Sequence, residues 1–244
     1  MRKSIATFFL MCMTVSAWAV DLPKQGFGLQ IGFARPTIRL NSSSLAYPKD
    51  SLVNTTALNG LKIGVVYDAS FIAGFGSTMG INYTFAGGHT SWEKSGTIGD
   101  YPRSRTQVLY HEMEIFVDWQ YKFEVAKETY LMLYTGPSIQ CGLAYNVRRD
   151  TQTDFDTPIS SDKYNRYGNE RPNEDLKRLN VTWGVGAGFQ YKRYFLRGGY
   201  DFGLINPYKN AQFVNPLTGD AIDRNTRGRL DQWSVKIGMY LLYK

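Results

Sequence analysis

Ionisable residues that recur at alternate positions are the first chemical signal in this chain. Glu112, Glu114, Asp118 and Lys122 share one parity of a single stretch, and Lys62 with Asp68, Arg197 with Asp201, and Lys236 repeat the arrangement elsewhere. On an extended strand, alternate side chains point to one side. Five acids and four bases therefore share a face, close to the balance that a closed polar interior needs if its charges are to be paired. The spacing predicts a structural charge network of Lys62, Asp68, Glu112, Glu114, Asp118, Lys122, Arg197, Asp201 and Lys236.

Other reactive patterns fail on spacing. His111-Glu112-Met113-Glu114 lacks the second histidine of a zinc-protease helix, and His89 and His111 are the only histidines in the chain. Gly74-x-Gly76 with Gly80 misses a dinucleotide fingerprint by one position and lies inside a strand pattern. Asp150, Asp154 and Asp156 lack the glycine and closing glutamate of a calcium loop. Asp50-Ser51-Leu52 matches a short O-glycosylation sequon, a tripeptide that also arises by chance. Cys12 lies in an amino-terminal apolar stretch, so Cys141 stands alone after processing and no intramolecular disulfide is expected. Its parity with Ile139 and Leu143 marks it as a small apolar side chain. No catalytic, cofactor-binding or metal-ligating residue is assigned, and no cofactor is expected.

The elements that must position the charges are eight strands with a period of two. Phe27, Leu29, Ile31 and Phe33 alternate with Gly28, Gln30, Gly32 and Ala34, and Pro36 ends that pattern. Leu61, Ile63, Val65 and Tyr67 form a second apolar row, and Phe75, Met79, Ile81, Tyr83 and Phe85 a third. The fourth is the clearest, with Met113, Ile115, Val117, Trp119, Tyr121 and Phe123. Leu131, Leu133, Ile139, Cys141, Leu143 and Tyr145 share a parity in the fifth, and the sixth and seventh run from Leu179 to Tyr191 and from Tyr194 to Leu204. The eighth, Gly228 to Lys244, sets Trp233, Val235, Ile237, Met239, Leu241 and Tyr243 against Gln232, Ser234, Lys236 and Gly238. Gly87 to Thr106 and Arg148 to Lys177 read as loops from their turn-forming content and lack of period.

Paired residues of an antiparallel hairpin share a face, so the parity of the apolar row constrains each turn. It predicts a two-residue turn at Lys192-Arg193 that pairs Tyr191 with Tyr194, and a three-residue turn that pairs Tyr67 with Phe71. Connections alternate long and short, which puts every short turn on the side of the two chain ends. A soluble barrel would coat its surface with the glycines of the polar face, whereas a narrow barrel interior needs small residues beside large ones. A tilted strand crosses a bilayer in about 9–11 residues, and only its alternate side chains meet lipid, so a negative mean hydropathy is compatible with a membrane barrel. Aromatic residues make up 15% of the chain, as aromatic girdles require. The formal net charge of +7 is spread along the sequence and does not imply nucleic acid. Arg2 and Lys3, the apolar run Ile5 to Val15 and Ala17-Trp18-Ala19 read as a secretory signal over residues 1–19, leaving a barrel domain over 20–244.

In this strand pattern the chain resembles the small outer-membrane barrels of Gram-negative bacteria, the OmpA/OmpX type and the porin-like barrel-domain family. Its last strand is also similar to their C-terminal targeting signal through Lys236, Gly238, Leu241 and Tyr243, although Lys244 follows the final aromatic residue. The resemblance implies an all-β, eight-stranded antiparallel up-and-down transmembrane barrel with short periplasmic turns and long extracellular loops. It implies residence in the cell outer membrane, insertion by the barrel-assembly machinery, and a monomer. Eight strands leave an interior about filled by side chains. The expected function is therefore a non-enzymatic scaffold that presents its loops to host surfaces, envelope proteins or lipopolysaccharide. Arg103, Arg105, Arg148, Arg149, Arg224, Arg227 and Arg229 are the candidates for pairing with lipopolysaccharide phosphates. One alternative is a narrow ion or small-solute pore. Another follows from family members that modify lipid A at the outer rim, where His111 has the outward parity but lacks a serine two positions away and shares its face only with the distant Ser77.

Overall fold

The computed structural model describes residues 25–40, 58–72, 74–90, 92–94, 102–168, 175–209, 211–214, 221–224 and 227–243. Residues 1–19 and Asp50-Ser51-Leu52 lie outside these. The strands are β1 (Gln25–Leu40), β2 (Asn59–Ile72), β3 (Phe75–His89), β4 (Glu93–Lys94), β5 (Arg103–Ala126), β6 (Thr129–Gln152), β7 (Ser160–Asn165), β8 (Leu179–Tyr191), β9 (Tyr194–Gly203), β10 (Ala211–Val214), β11 (Ala221–Arg224) and β12 (Gly228–Tyr243). Eight of them form a closed ring in the order β1, β2, β3, β5, β6, β8, β9, β12, every neighbour antiparallel, with β12 returning to β1. Closure pairs every stave on both sides, which is what a sheet in hydrocarbon must achieve. The expected barrel is the one that forms. The four short strands are additions at the end that carries the long connections: β4 and β7 flank β5 and β6, and β10 pairs only with β11.

Several staves run further than their hydrophobic pattern. β5 and β6 are 24 residues each, so the expected loops Gly87 to Thr106 and Arg148 to Lys177 are partly strand. Their apolar alternation stops where lipid stops, while the backbone ladder continues through polar residues. β1 likewise passes through Pro36. The Pro36 carbonyl accepts Leu58 N–H at 3.0 Å, beyond the last ladder pair with β2, Ala34 with Gly60. The missing proline N–H points to that same side, so pairing with β12 is undisturbed.

Three bulges correct the parity reading. An extra residue, Leu143, in β6 lets His111 pair with Ala144 and Glu112 with Gly142, which turns Tyr145 into the barrel and not outward with Leu143. Leu241 is an extra residue in β12, so Leu242 joins it on the outside. Phe71 bulges from β2, and the β2–β3 hairpin pairs Tyr67 with Met79 instead of Phe71, with Gly74 at φ 84° just before β3. The Lys192–Arg193 turn is as expected, with Tyr191 opposite Tyr194 and Lys192 at positive φ.

The outward faces are apolar around the ring. Aromatic pairs mark both edges of this band: Phe71–Phe75 and Tyr121–Phe123 towards the short turns, Phe33–Trp233 and Tyr200–Phe202 towards the long connections. The interior is stacked in three tiers. Val66, Phe116, Met132, Phe195 and Tyr240 form an apolar cluster, and on β2 and β5 the bonded group Asp68, Gln120 and Lys122 lies nearer the short turns. Polar and charged residues fill the middle. Tyr110, Tyr145, Tyr167, Leu176, Tyr208 and Leu230 close the other end. Glycines make this possible: a Cβ at Gly238 would stand 2.1 Å from Phe195, and at Gly186 2.3 Å from the Tyr134 hydroxyl.

Candidate functional site

Six of the nine predicted interior charges meet as three ion pairs. Lys62 Nζ lies 2.8 Å from Glu114 Oε2, Arg197 Nη2 2.7 Å from Asp118 Oδ2, and Lys122 Nζ 2.6 Å from Asp68 Oδ2. Neutral side chains complete each pair. Asn82 donates to Glu114 at 2.7 Å and itself accepts from Gln30 at 2.6 Å, while Lys62 also donates to Gln232. Gln120 and Tyr240 donate to Asp68 at 2.7 and 2.6 Å. Arg197 lies over the Tyr134 ring, 4.1 Å from its centroid. The remaining three do not pair as predicted. Glu112 takes its hydrogen bond from Tyr110, and among the described residues neither Asp201 nor Lys236 has an ion pair within 4.0 Å. Lys236 lies over Phe116, and both residues border a residual cavity of about 10 Å³, space for one water at most. The alternation that revealed the charges also carries Gln30, Asn82, Gln120 and Gln232. Only the barrel closure shows that these amides bridge staves far apart in sequence.

The plug over the long-connection end had no sequence signal. Arg166 and Asp175 form a buried pair at 2.8 Å with two parallel hydrogen bonds, and the guanidinium stands over the rings of Tyr145 and Tyr208. Arg166 N–H donates to the Tyr145 carbonyl, Leu176 N–H to Arg166, and Lys177 N–H to Pro207, so two connections are laced over the lumen. Its described residues, 166–168 and 175–178, belong to none of the named strands, yet they supply part of the upper tier of the core.

Beyond the apolar band, β4, β5, β6 and β7 continue as a small outward sheet. On the face continuous with the lipid-facing side, Arg103, Arg105, Arg148 and Lys163 surround Asp150, whose carboxylate accepts Arg105 and Arg148 at 2.9 and 2.8 Å and Ser161 at 2.6 Å. Those three donors hold the Asp150 carboxyl below the usual carboxylate range. Trp92 lies between Arg103 and Arg105, 4.9 and 5.2 Å from its ring centroid. A cleft of about 730 Å³ opens beside this face between His89, Gln107, Arg148, Lys163 and Tyr164. Of the other predicted arginines, Arg149 points to the opposite face and Arg229 binds Asp231 on the barrel wall; the side chain of Arg224 lies outside the described residues. Asp154 caps its own turn through Thr157 and does not join Asp150 in a cluster.

His111 sits on the outer wall with Tyr83, whose hydroxyl is 2.5 Å from Nδ1, and its ring meets Phe85 edge-on. Ser77 pairs with Trp119, eight residues along β5 from His111, about 27 Å at a strand rise of ~3.4 Å.

The family model described as "Outer membrane protein beta-barrel domain" matches residues 25–208. The chain belongs to that family. As an outer-membrane β-barrel it lies in the cell outer membrane, and in such barrels the long connections face outside. The family match stops at Tyr208, and β12, which closes the ring against both β9 and β1, follows it. In that closing strand of the outer-membrane barrel, Lys236 and Gly238 point inward and Leu241 outward, while the Tyr243 side chain lies outside the described residues. No curated protein matches the sequence. Among solved structures, the chain is similar to the attachment invasion locus protein Ail of Yersinia pestis, with a TM-score of 0.40, 10% identity, and coverage of 89% of this chain and 99% of that one. It is similar to Neisserial surface protein A at TM-score 0.38, 11% identity and coverage of 88% and 97%, and to the N-terminal barrel of Pseudomonas aeruginosa OprF at 0.26, 11%, 87% and 97%.

Proposed function

We propose that this outer-membrane barrel is a non-enzymatic surface protein whose outward sheet, β4 to β7, makes contacts with acidic surfaces of host or envelope partners. The observation that carries this reading is the length of β5 and β6. A stave needs about 9–11 residues to cross the bilayer, and these have 24, so more than half of each is spent outside lipid. Membrane anchoring alone gives no reason for that excess. The extension presents Arg103, Arg105, Arg148 and Lys163 around one carboxylate, a cationic face suited to charge-complementary encounter. The interior supports a sealed scaffold rather than a pore: six of its nine charges pair between non-adjacent staves, and Arg166–Asp175 is buried over the lumen. A hydrolase-like site finds no support at His111, whose hydrogen-bond partner is Tyr83 and which lies far along β5 from the register position of Ser77.

The test compares cells displaying the wild-type protein with cells displaying an Arg103→Gln/Arg105→Gln/Arg148→Gln variant at equal surface level. Adhesion to a polyanion-coated surface is expected to fall about tenfold in the variant, as loss of three charged contacts implies. Equal adhesion by both, or wild-type adhesion no higher than that of cells lacking the protein, sinks the proposal.

A further inference from the structure

A second charged cluster sits on the lipid-facing wall, away from the outward sheet. Asp231 has the outward parity of β12 and would be expected to face lipid, yet its side chain is 1% exposed. Its Oδ2 forms ion pairs with Arg229 Nε at 2.9 Å and Arg39 Nε at 3.3 Å and accepts the Tyr200 hydroxyl at 2.9 Å; its Oδ1 accepts Gly203 N–H at 3.0 Å. Arg39 and Arg229 are direct partners across the β1–β12 ladder. Like charges placed opposite each other in a ladder repel, and one carboxylate offsets only one of the two. Both arginines reach Asp231 through Nε and are about half exposed, and among the described residues nothing is bonded to their Nη atoms. Arg35, opposite Trp233, adds a third outward cation just below.

The height of the cluster decides what meets it. Phe33 and Trp233, whose ring centroids are 5.3 Å apart, form the last outward aromatic pair on these two staves, and the arginine pair stands four to six residues beyond it. Forked donors therefore line the boundary between hydrocarbon and water on the outer leaflet side. We propose that Arg39 and Arg229 clamp a phosphate group of an outer-leaflet lipid. Asp231 and Tyr200 are positioning residues that hold the two guanidiniums side by side. A phosphate bridging the Nη atoms replaces the repulsion with charge-assisted, two-point hydrogen bonds, the contact for which a guanidinium is better shaped than an ammonium. The acyl chains of the same lipid lie against Phe33 and Trp233, a contact that free phosphate lacks. The site is separate from the outward sheet, so either assignment can fail without the other.

The test titrates purified full-length protein, in a detergent without phosphate, with bisphosphorylated lipid A, the same lipid dephosphorylated, and phosphatidylglycerol. Folding of each variant is verified by heat-modified gel mobility. Wild type is expected to favour the phosphorylated lipid A about tenfold over the dephosphorylated one, and Arg39→Gln/Arg229→Gln to lose most of that preference. If the glutamine pair does not fold, Arg39→Lys/Arg229→Lys keeps the charge without the fork and is expected to lose about threefold. Both lipid outcomes uphold the clamp: equal binding of phosphatidylglycerol makes phosphate the determinant, and weaker binding of it makes lipopolysaccharide the source. No phosphate preference in wild type, or the same preference in the folded variants, overturns it. Displacement of the lipid by an equal concentration of inorganic phosphate overturns it as well.

Discussion

Lys62 and Glu114 show how much a single buried contact carries in this barrel. Both are nearly sealed from solvent, Glu114 takes hydrogen bonds from Lys62 and Asn82, and Lys62 also donates to Gln232 on β12, two staves away past β1. Breaking such a pair leaves one charge buried without a counter-charge, which costs about 3–5 kcal/mol, whereas replacing both partners removes that penalty. Lys62→Met is thus expected to destabilise the barrel by roughly that amount in urea titrations from vesicles, and adding Glu114→Gln to recover most of the loss. A Lys62→Met cost as small as that of a surface substitution, or no recovery in the double variant, would show that the pair is not coupled. The ionisable members of this network were legible in the sequence because charge at alternate positions is rare. Asp201 and Lys236 were legible as inward, but not as lacking an ion pair among the described residues, since parity gives a face and not a distance.

At the scale of elements, the hydrophobic period reports lipid contact, not strand length. It located all eight staves and then stopped short on β5 and β6, whose outermost residues, 103–107 and 148–152, are polar on both faces. The bulge at Leu143 was equally silent, because one inserted residue leaves composition unchanged while it moves Tyr145 from the wall to the core. The outward extension depends on Asp150, which joins β5, β6 and β7 through Arg105, Arg148 and Ser161. These donors depress its carboxyl pKa. The folded extension then binds a proton less readily than the unfolded one, so the stabilisation is complete above the ordinary carboxylate value of about 4 and is lost as pH falls towards the depressed value. Amide-exchange protection of Ser160–Asn165, corrected for intrinsic rates, is expected to fall below about pH 4 while that of the staves holds. Asp150→Asn should show the weaker protection at every pH. Protection in wild type that stays constant down to about pH 2 would remove Asp150 as the clasp of this arm.

For the whole molecule, the three interior tiers act together to close the lumen. An apolar cluster, ion pairs between non-adjacent staves, and the Arg166–Asp175 plug at the outer end each fill part of the lumen. Two interior spaces among the described residues, one beside Glu112 and one beside Lys236, are about 10 Å³ each. Planar-bilayer recordings of the folded protein are expected to be silent, and reproducible unitary currents would instead favour the pore. Silence is expected to persist in Arg166→Ala, because the middle tier still spans the lumen without the plug.

The sequence alone determined that eight amphipathic strands would form, which face each would turn to lipid, and which charges would share the interior. Those properties depend on residue type and period, and both are local. Tertiary structure alone decided which charges met, since Lys62 and Gln232 are brought together only by closing the ring through β12. It also decided that an aperiodic segment became the plug, and that Arg39 and Arg229, far apart in sequence, came to stand opposite each other around Asp231. Such contacts depend on register and closure, and a period of two carries information about neither.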